Sequence, residues 1–191
     1  MFNVVCCDKQ PFFDVLPVYK ARFFDGDFKQ LMHAKIAYVS DDGFYFDVVK
    51  FERDPVIIKS GEFSPEDSTI AVSFDLSENS SGPVLSVLLN SEGKSKIFLD
   101  EEESGPVVSD IFLYRGSDEL GWHWGTRFLI SNGMCSEVFG KHKFSPGEVV
   151  RGNIYAVLTT GERAHFGAVA PFAVSSVYCV ENLADFLLSN A

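Results

Sequence analysis

The sequence predicts an all-β fold: an antiparallel β-sandwich of two sheets, jelly-roll or immunoglobulin-like in architecture, with little helix. Three observations carry that expectation. Apolar and polar residues alternate with period two in several segments, Phe is frequent at 19 of 191 residues, and Gly, Pro, Asn and Asp break the chain at short intervals. All-β folds of this length form around one core, so residues 1–191 are expected to make a single domain.

Residues 35–39 and 44–51 form the first expected hairpin, because Asp41-Asp42-Gly43 between them supplies residues that tolerate positive φ in a tight turn. Residues 69–76 give the clearest strand. Ile70, Val72, Phe74 and Leu76 alternate there with Thr69, Ala71, Ser73 and Asp75, which predicts one buried and one wetter face. A second hairpin joins 84–89 to 95–99 through Asn90-Ser91-Glu92-Gly93-Lys94. Further strands are expected at 107–114, 122–130 and 149–158. Polar, Gly and Pro interruptions separate them at 78–83, 101–106, 115–121, 145–147 and 159–162, a spacing that suits a sandwich or barrel. Helix signals are confined to one turn at 136–140 and a short C-terminal helix at 181–188.

Apolar residues make up 46% of the chain and charged ones 23%, the composition of a globular protein. Asp and Glu outnumber Lys and Arg by 27 to 16, for a net charge of −11. Binding to a nucleic-acid backbone or an anionic membrane is electrostatically opposed, so neither partner is expected. The first residues lack a cationic segment followed by an apolar run. That predicts a cytoplasmic location, or a secreted one if a signal preceded this numbering. No stretch approaches the roughly 18 apolar residues of a membrane-spanning helix. Cys6, Cys7, Cys135 and Cys179 form no CxxC pair and are expected as free thiols.

Catalytic signatures are missing. The chain has no Gly-x-Ser-x-Gly elbow, no phosphate-cradling Gly-rich loop with its Lys, no His-Glu-x-x-His and no Asp-x-Asp-x-Asp-Gly loop. A non-enzymatic role is therefore expected, without a cofactor. His33, His123, His142 and His165 are scattered, and the Asp100-Glu101-Glu102-Glu103 run reads as a solvated loop rather than a cation site. Paired carboxylates stay open, because their separation is set by the fold.

Gly121-Trp122-His123-Trp124-Gly125 holds both tryptophans. In a strand Trp122 and Trp124 share a face, which makes either an aromatic platform for a sugar ring or the start of a core stripe continuing through Thr126, Phe128 and Ile130. His123 and Arg127 fall on the other face.

Together these segments resemble the family 9 carbohydrate-binding domains, a group of β-sandwich modules. The similarity is strongest from Trp122 to Phe172, beginning with a Trp-led strand at 122–130 that ends with Ser131 in the place of a usual Pro. It continues through the Pro-Gly loop at 144–148, the Arg151-x-Asn153-x-Tyr155 strand, and the His165-Phe166 element before Pro171. Upstream, 36–38, 44–48 and 67–74 are more loosely similar. Val169 stands where the family often carries Trp.

The resemblance implies a non-catalytic domain that recognises a saccharide by aromatic stacking and polar contacts. Trp122, Trp124, Arg151, Asn153, Tyr155 and His165 are the candidate ligand-binding residues. It also allows a structural calcium, with no metal ligand identified. The competing expectation is a cytoplasmic protein-interaction scaffold that has kept the sandwich and lost sugar binding, with self-association through an exposed edge or apolar patch. For Arg151, Asn153 and Tyr155 a structural role stays open beside the binding one: Asn153 satisfying loop backbone groups and Tyr155 packing at the core.

Overall fold

The computed structural model describes residues 1–77, 82–104 and 108–190, with the backbone alone at 109. Residues 78–81 of the interruption expected at 78–83, the end of that expected at 101–106 and the start of the strand expected at 107–114 lie outside the described residues. In chain order the strands are β1 (Phe2–Cys7), β2 (Tyr19–Lys20), β3 (Phe23–Asp25), β4 (Met32–Val39), β5 (Gly43–Lys50), β6 (Thr69–Asp75) and β7 (Leu85–Asn90). They continue with β8 (Ser95–Leu99), β9 (Glu102–Ser104), β10 (Ser109–Asp118) and β11 (Gly121–Ser131). After helix α1 (Asn132–Phe139) come β12 (Val149–Leu158), β13 (His165–Ala168) and β14 (Ala184–Asn190).

Hydrogen bonding runs in the order β10-β11-β5-β4-β1-β14-β12-β6-β7-β8-β9. The path curls so that two layers face each other. Phe44, Phe46, Trp124 and Phe128 from the β11-β5-β4 side share one core with Ile70, Val72, Phe74, Ile154 and Phe186 from the other. Phe74 is central: its ring centroid lies 5.4 Å from Phe46, 6.0 Å from Phe186 and 6.3 Å from Phe44. Burying an aromatic side chain of this kind stabilises the fold by ~1.5–3 kcal/mol, so the Phe-rich composition is spent largely between the layers.

The expected sandwich is therefore present, and both expected hairpins form, as β4-β5 and β7-β8. One difference lies in β1. It pairs in parallel with β14 through Phe2 to Cys6 and with β4 through Val5 to Cys7, so a single strand passes from one layer to the other. The remaining ladders are antiparallel.

The second difference is at the C-terminus, where the expected helix is a strand. Phe186 and Leu188 are fully buried and alternate with more exposed neighbours, and partners on both sides, β1 and β12, complete its backbone hydrogen bonds. The apolar run was equally compatible with either period, and tertiary pairing decided it.

The third is β6, every residue of which is buried. Its polar face is dry because segment 170–183 folds over it. Ser73 and Ser86 both donate to the Val177 carbonyl, at 2.6 and 3.1 Å, and Ala71 packs with Tyr155, Phe166 and Val177.

Helix α1 starts four residues before the expected turn. Ser131 caps it by accepting from the Met134 N–H at 3.2 Å, and Gly140, at φ 67°, ends it in the left-handed region.

Core packing sets one glycine. A Cβ on Gly152 would stand 2.4 Å from the Phe74 ring. Gly152→Ala is expected to cost ~1–3 kcal/mol through this overpacking. It should lower the midpoint of urea unfolding without changing its slope.

Candidate functional site

At one end of the sandwich, residues of three strands stand in register: Arg115 on β10 opposite Trp124 on β11, and Trp124 opposite Lys50 on β5. The next inward residue of β11, Trp122, projects beyond the core. It is 56% exposed, whereas Trp124 is 1% exposed. The two rings of the Trp-His-Trp segment thus divide the readings left open by sequence: Trp124 belongs to the core and Trp122 to the rim.

Beyond Lys50 the chain leaves the sheet, and residues 52–55 run beside Trp122. A cavity of about 250 Å³ opens between them, lined by Glu52, Arg53, Asp54, Pro55, Arg115 and the 122–124 segment. The Arg53 guanidinium carbon lies 5.8 Å from the centre of the Trp122 ring. This combination offers an apolar ring face, cationic donors and an acceptor carboxylate on Asp54 around one hollow.

The wall carrying Arg53 is held in place from below. Ser68 accepts from the Val56 N–H at 2.8 Å and donates to Glu52 at 2.9 Å. Asp67 accepts from the N–H groups of Ile58 and Ser64 and from the Asn90 amide, at 2.8–2.9 Å. Arg163 donates to the Asp54 carbonyl at 2.9 Å.

Beneath the cavity lies a buried charge network. Lys50 is fully enclosed, donates to the Val157 carbonyl at 3.1 Å and sits 3.5 Å from Glu52. Glu52 accepts from the Trp124 indole N–H at 3.2 Å and approaches Arg163 at 3.9 Å. Desolvation pulls the Lys50 ammonium down to about 8, against the raising effect of Glu52.

His165 packs beside this network, outside the cavity. Its Nδ1 donates to the Arg163 carbonyl at 2.7 Å, its Nε2 is buried without a partner, and its ring lies 5.4 Å from Phe28. Burial first, and then the Lys50 charge, pull His165 down to about 4, against the raising effects of the hydrogen bond to the Arg163 carbonyl and of Glu52, while the Arg163 charge adds a smaller lowering. Because the unfolded histidine protonates near 6.5, the unfolded chain takes up this proton first as pH falls. Stability is then lost progressively between about pH 6.5 and about pH 4, by on the order of 3 kcal/mol, and this contribution is constant below. In urea unfolding, His165→Gln should flatten the stability–pH slope in that window relative to wild type.

The other expected site residues lie elsewhere. Arg151, Asn153 and Tyr155 do share a face of β12, but segment 170–183 covers it. The Asn153 amide donates to the carbonyls of Ala170 and Asn182, at 3.3 and 2.8 Å, and its oxygen accepts from the Ala170 N–H at 3.0 Å. Tyr155 is fully buried against Phe166, and its desolvated phenol is pushed above its ordinary value. Arg151 donates to the Val180 carbonyl at 3.0 Å. These three side chains are engaged in holding the segment down, which corrects the expectation that they line a ligand cleft. His165 is likewise separate from the Trp122 cavity.

Arg53, Asp54 and Arg115, by contrast, were not singled out by sequence. The four cysteines are unpaired, and among the described residues no three of His, Cys, Asp or Glu gather where they could hold a metal ion. The residues described thus do not supply a carboxylate cluster for the calcium that the resemblance allows. No described helix is long and apolar enough to cross a membrane.

No protein-family model and no curated protein sequence matches the chain. Solved structures do match it in shape. A family 9 carbohydrate-binding module from Caldicellulosiruptor kristjanssonii, in complex with cellotriose, is 7% identical with a TM-score of 0.70, covering 100% of this chain and 95% of that one. The same organism's family 9 module in complex with glucose gives a TM-score of 0.68 at 7% identity, with coverage of 100% and 96%. A protein from Bacteroides uniformis, provisionally described as carbohydrate-binding, gives 0.67 at 14% identity, covering 98% and 97%. At such identities the likeness is one of architecture. The chain has the β-sandwich fold of the family 9 carbohydrate-binding modules.

Proposed function

We propose that the protein is a non-catalytic saccharide-binding domain and that the ligand sits in the hollow beside Trp122. The observation that carries this reading is an exposed indole at the mouth of a cavity sized for about one sugar ring, flanked by Arg53, Arg115 and Asp54. A pyranose lays its C–H face on an aromatic ring, while its hydroxyls need both donors and acceptors at the edge. Trp122 supplies the ring face, the two arginines donate, and Asp54 accepts. Trp124 forms the floor and keeps Glu52 directed inward.

The shape likeness to modules solved with cellotriose and glucose supports the same reading. The absence of catalytic sequence signatures agrees with a binding role.

Isothermal titration with a panel of mono- and oligosaccharides tests the proposal. Saturable one-site binding of at least one panel member, abolished or strongly weakened by Trp122→Ala, is the expected result. A flat response across the panel would overturn the reading and favour an interaction scaffold without sugar binding.

A further inference from the structure

The chain carries 27 acidic against 16 basic residues, so two cations that line one cavity stand out on its surface. Several exposed or half-exposed cations are paired: Lys59 with Glu62, Lys96 with Glu103, Arg127 with Asp47. Others, such as Lys20, Arg22 and Arg151, make no ion pair among the described residues, and what sets Arg53 and Arg115 apart is that they share one cavity. Both are exposed, both line the Trp122 cavity, and among the described residues neither makes an ion pair. Arg53 rests over the Trp122 ring at 5.8 Å, and Arg115 makes only a long hydrogen bond, 3.4 Å, to the Ser91 carbonyl.

The charge behind them adds to theirs. Lys50 and Arg163 lie against Glu52, so the buried carboxylate is outnumbered by its cationic neighbours. The lining sets Glu52 and Asp54 against Arg53 and Arg115, and Lys50 and Arg163 behind Glu52 tip the balance to positive. The hollow is therefore a positively charged spot on a protein whose net charge is −11. A guanidinium that donates to a neutral hydroxyl gives up hydration for a neutral hydrogen bond; two that converge on an anion make charge-assisted and bidentate bonds, which are about twice as strong.

We infer that the cavity selects a saccharide bearing an anionic substituent, a carboxylate as in a uronic acid or a phosphate ester, with Arg53 and Arg115 holding the anion while the ring lies on Trp122. This rests on the reading of the cavity as a saccharide site. Asp54 then accepts from ring hydroxyls and disfavours a second anionic group nearby.

The test is calorimetric titration of the whole chain with D-glucuronate, glucose 6-phosphate, D-glucuronamide and D-glucose, with acetate and inorganic phosphate alone as anion controls. The expected result is that glucuronate or the phosphate ester binds at least about tenfold more tightly than the two neutral sugars, and that the ratio shrinks at higher salt. The better of the two anions names the substituent. In the double variant Arg53→Gln, Arg115→Gln the ratio should fall to near one, and Arg53→Lys should retain part of it.

Equal affinities for charged and neutral sugars, unchanged in the arginine variants, would overturn the inference while leaving saccharide binding intact. Binding of acetate or phosphate as tightly as the charged sugar would also overturn it, because the site would then be an anion site without sugar recognition. No binding of any sugar would remove the saccharide reading itself, and the inference with it.

Discussion

Trp122→Ala is expected to weaken saccharide binding by about 10- to 100-fold and to leave the fold intact. Trp122 is exposed at the rim, so its removal uncovers little core. Surface substitutions of this kind usually change stability by no more than about 0.5 kcal/mol. The indole nevertheless provides the broad ring face at the proposed site, and truncating such an aromatic anchor costs roughly 1.5–3 kcal/mol of binding. Trp122→Phe should recover part of the affinity, because a smaller ring still offers a C–H acceptor face. Calorimetric affinities, alongside an unchanged urea midpoint, would separate lost binding from lost folding.

The second large effect is on stability. Glu52→Gln is expected to destabilise the protein by ~3–5 kcal/mol, because it leaves the Lys50 ammonium buried without its counter-charge. Lys50 is fully enclosed, and the other polar contact of its ammonium is the Val157 carbonyl. The same substitution neutralises the group that accepts from the Trp124 indole and from Ser68 and approaches Arg163. Replacing both members, Lys50→Met with Glu52→Gln, should recover much of the loss, since the uncompensated charge is then gone. Urea unfolding of the two variants against wild type measures this; equal stability of Glu52→Gln and wild type would show that the network carries no such weight.

The two effects connect fold and site. Lys50, Glu52 and Trp124 anchor the point where β5 leaves the sheet, and the residues that follow at once, Arg53, Asp54 and Pro55, make one wall of the cavity. The proposed binding surface is the continuation of a core ladder past the end of the core.

That continuity explains what the sequence disclosed and what it did not. Alternation and turn chemistry are local, so the β4-β5 hairpin, β7-β8, and β12 at 149–158 were legible, as was the Trp-bearing strand. The parallel passage of β1 between layers depends on partners more than 30 and 180 residues away, and no local pattern encodes it. The dry second face of β6 likewise depends on segment 170–183 folding over it. That same covering turned Arg151, Asn153 and Tyr155 from a plausible polar patch into clamps for the segment.

The site was half legible. Adjacent tryptophans at i and i+2 marked the strand, but only the end of the β10-β11-β5 register decides which indole meets solvent. Arg53 and Asp54 had one available signal: they come shortly after β5 and precede Pro55, which cannot donate to a ladder, so the chain is expected to leave the sheet there. Arg115 could be placed only through its register with Trp124.

Acrylamide quenching of tryptophan fluorescence, with and without saturating saccharide, tests the central claim most directly. With one exposed and one buried indole, the free protein should show one quenchable and one shielded component. Saccharide should protect the quenchable component, and Trp122→Ala should remove it. If both indoles are shielded in the free protein, or if a saccharide that binds leaves the quenchable component unprotected, then the ligand does not lie on Trp122 and the account is contradicted.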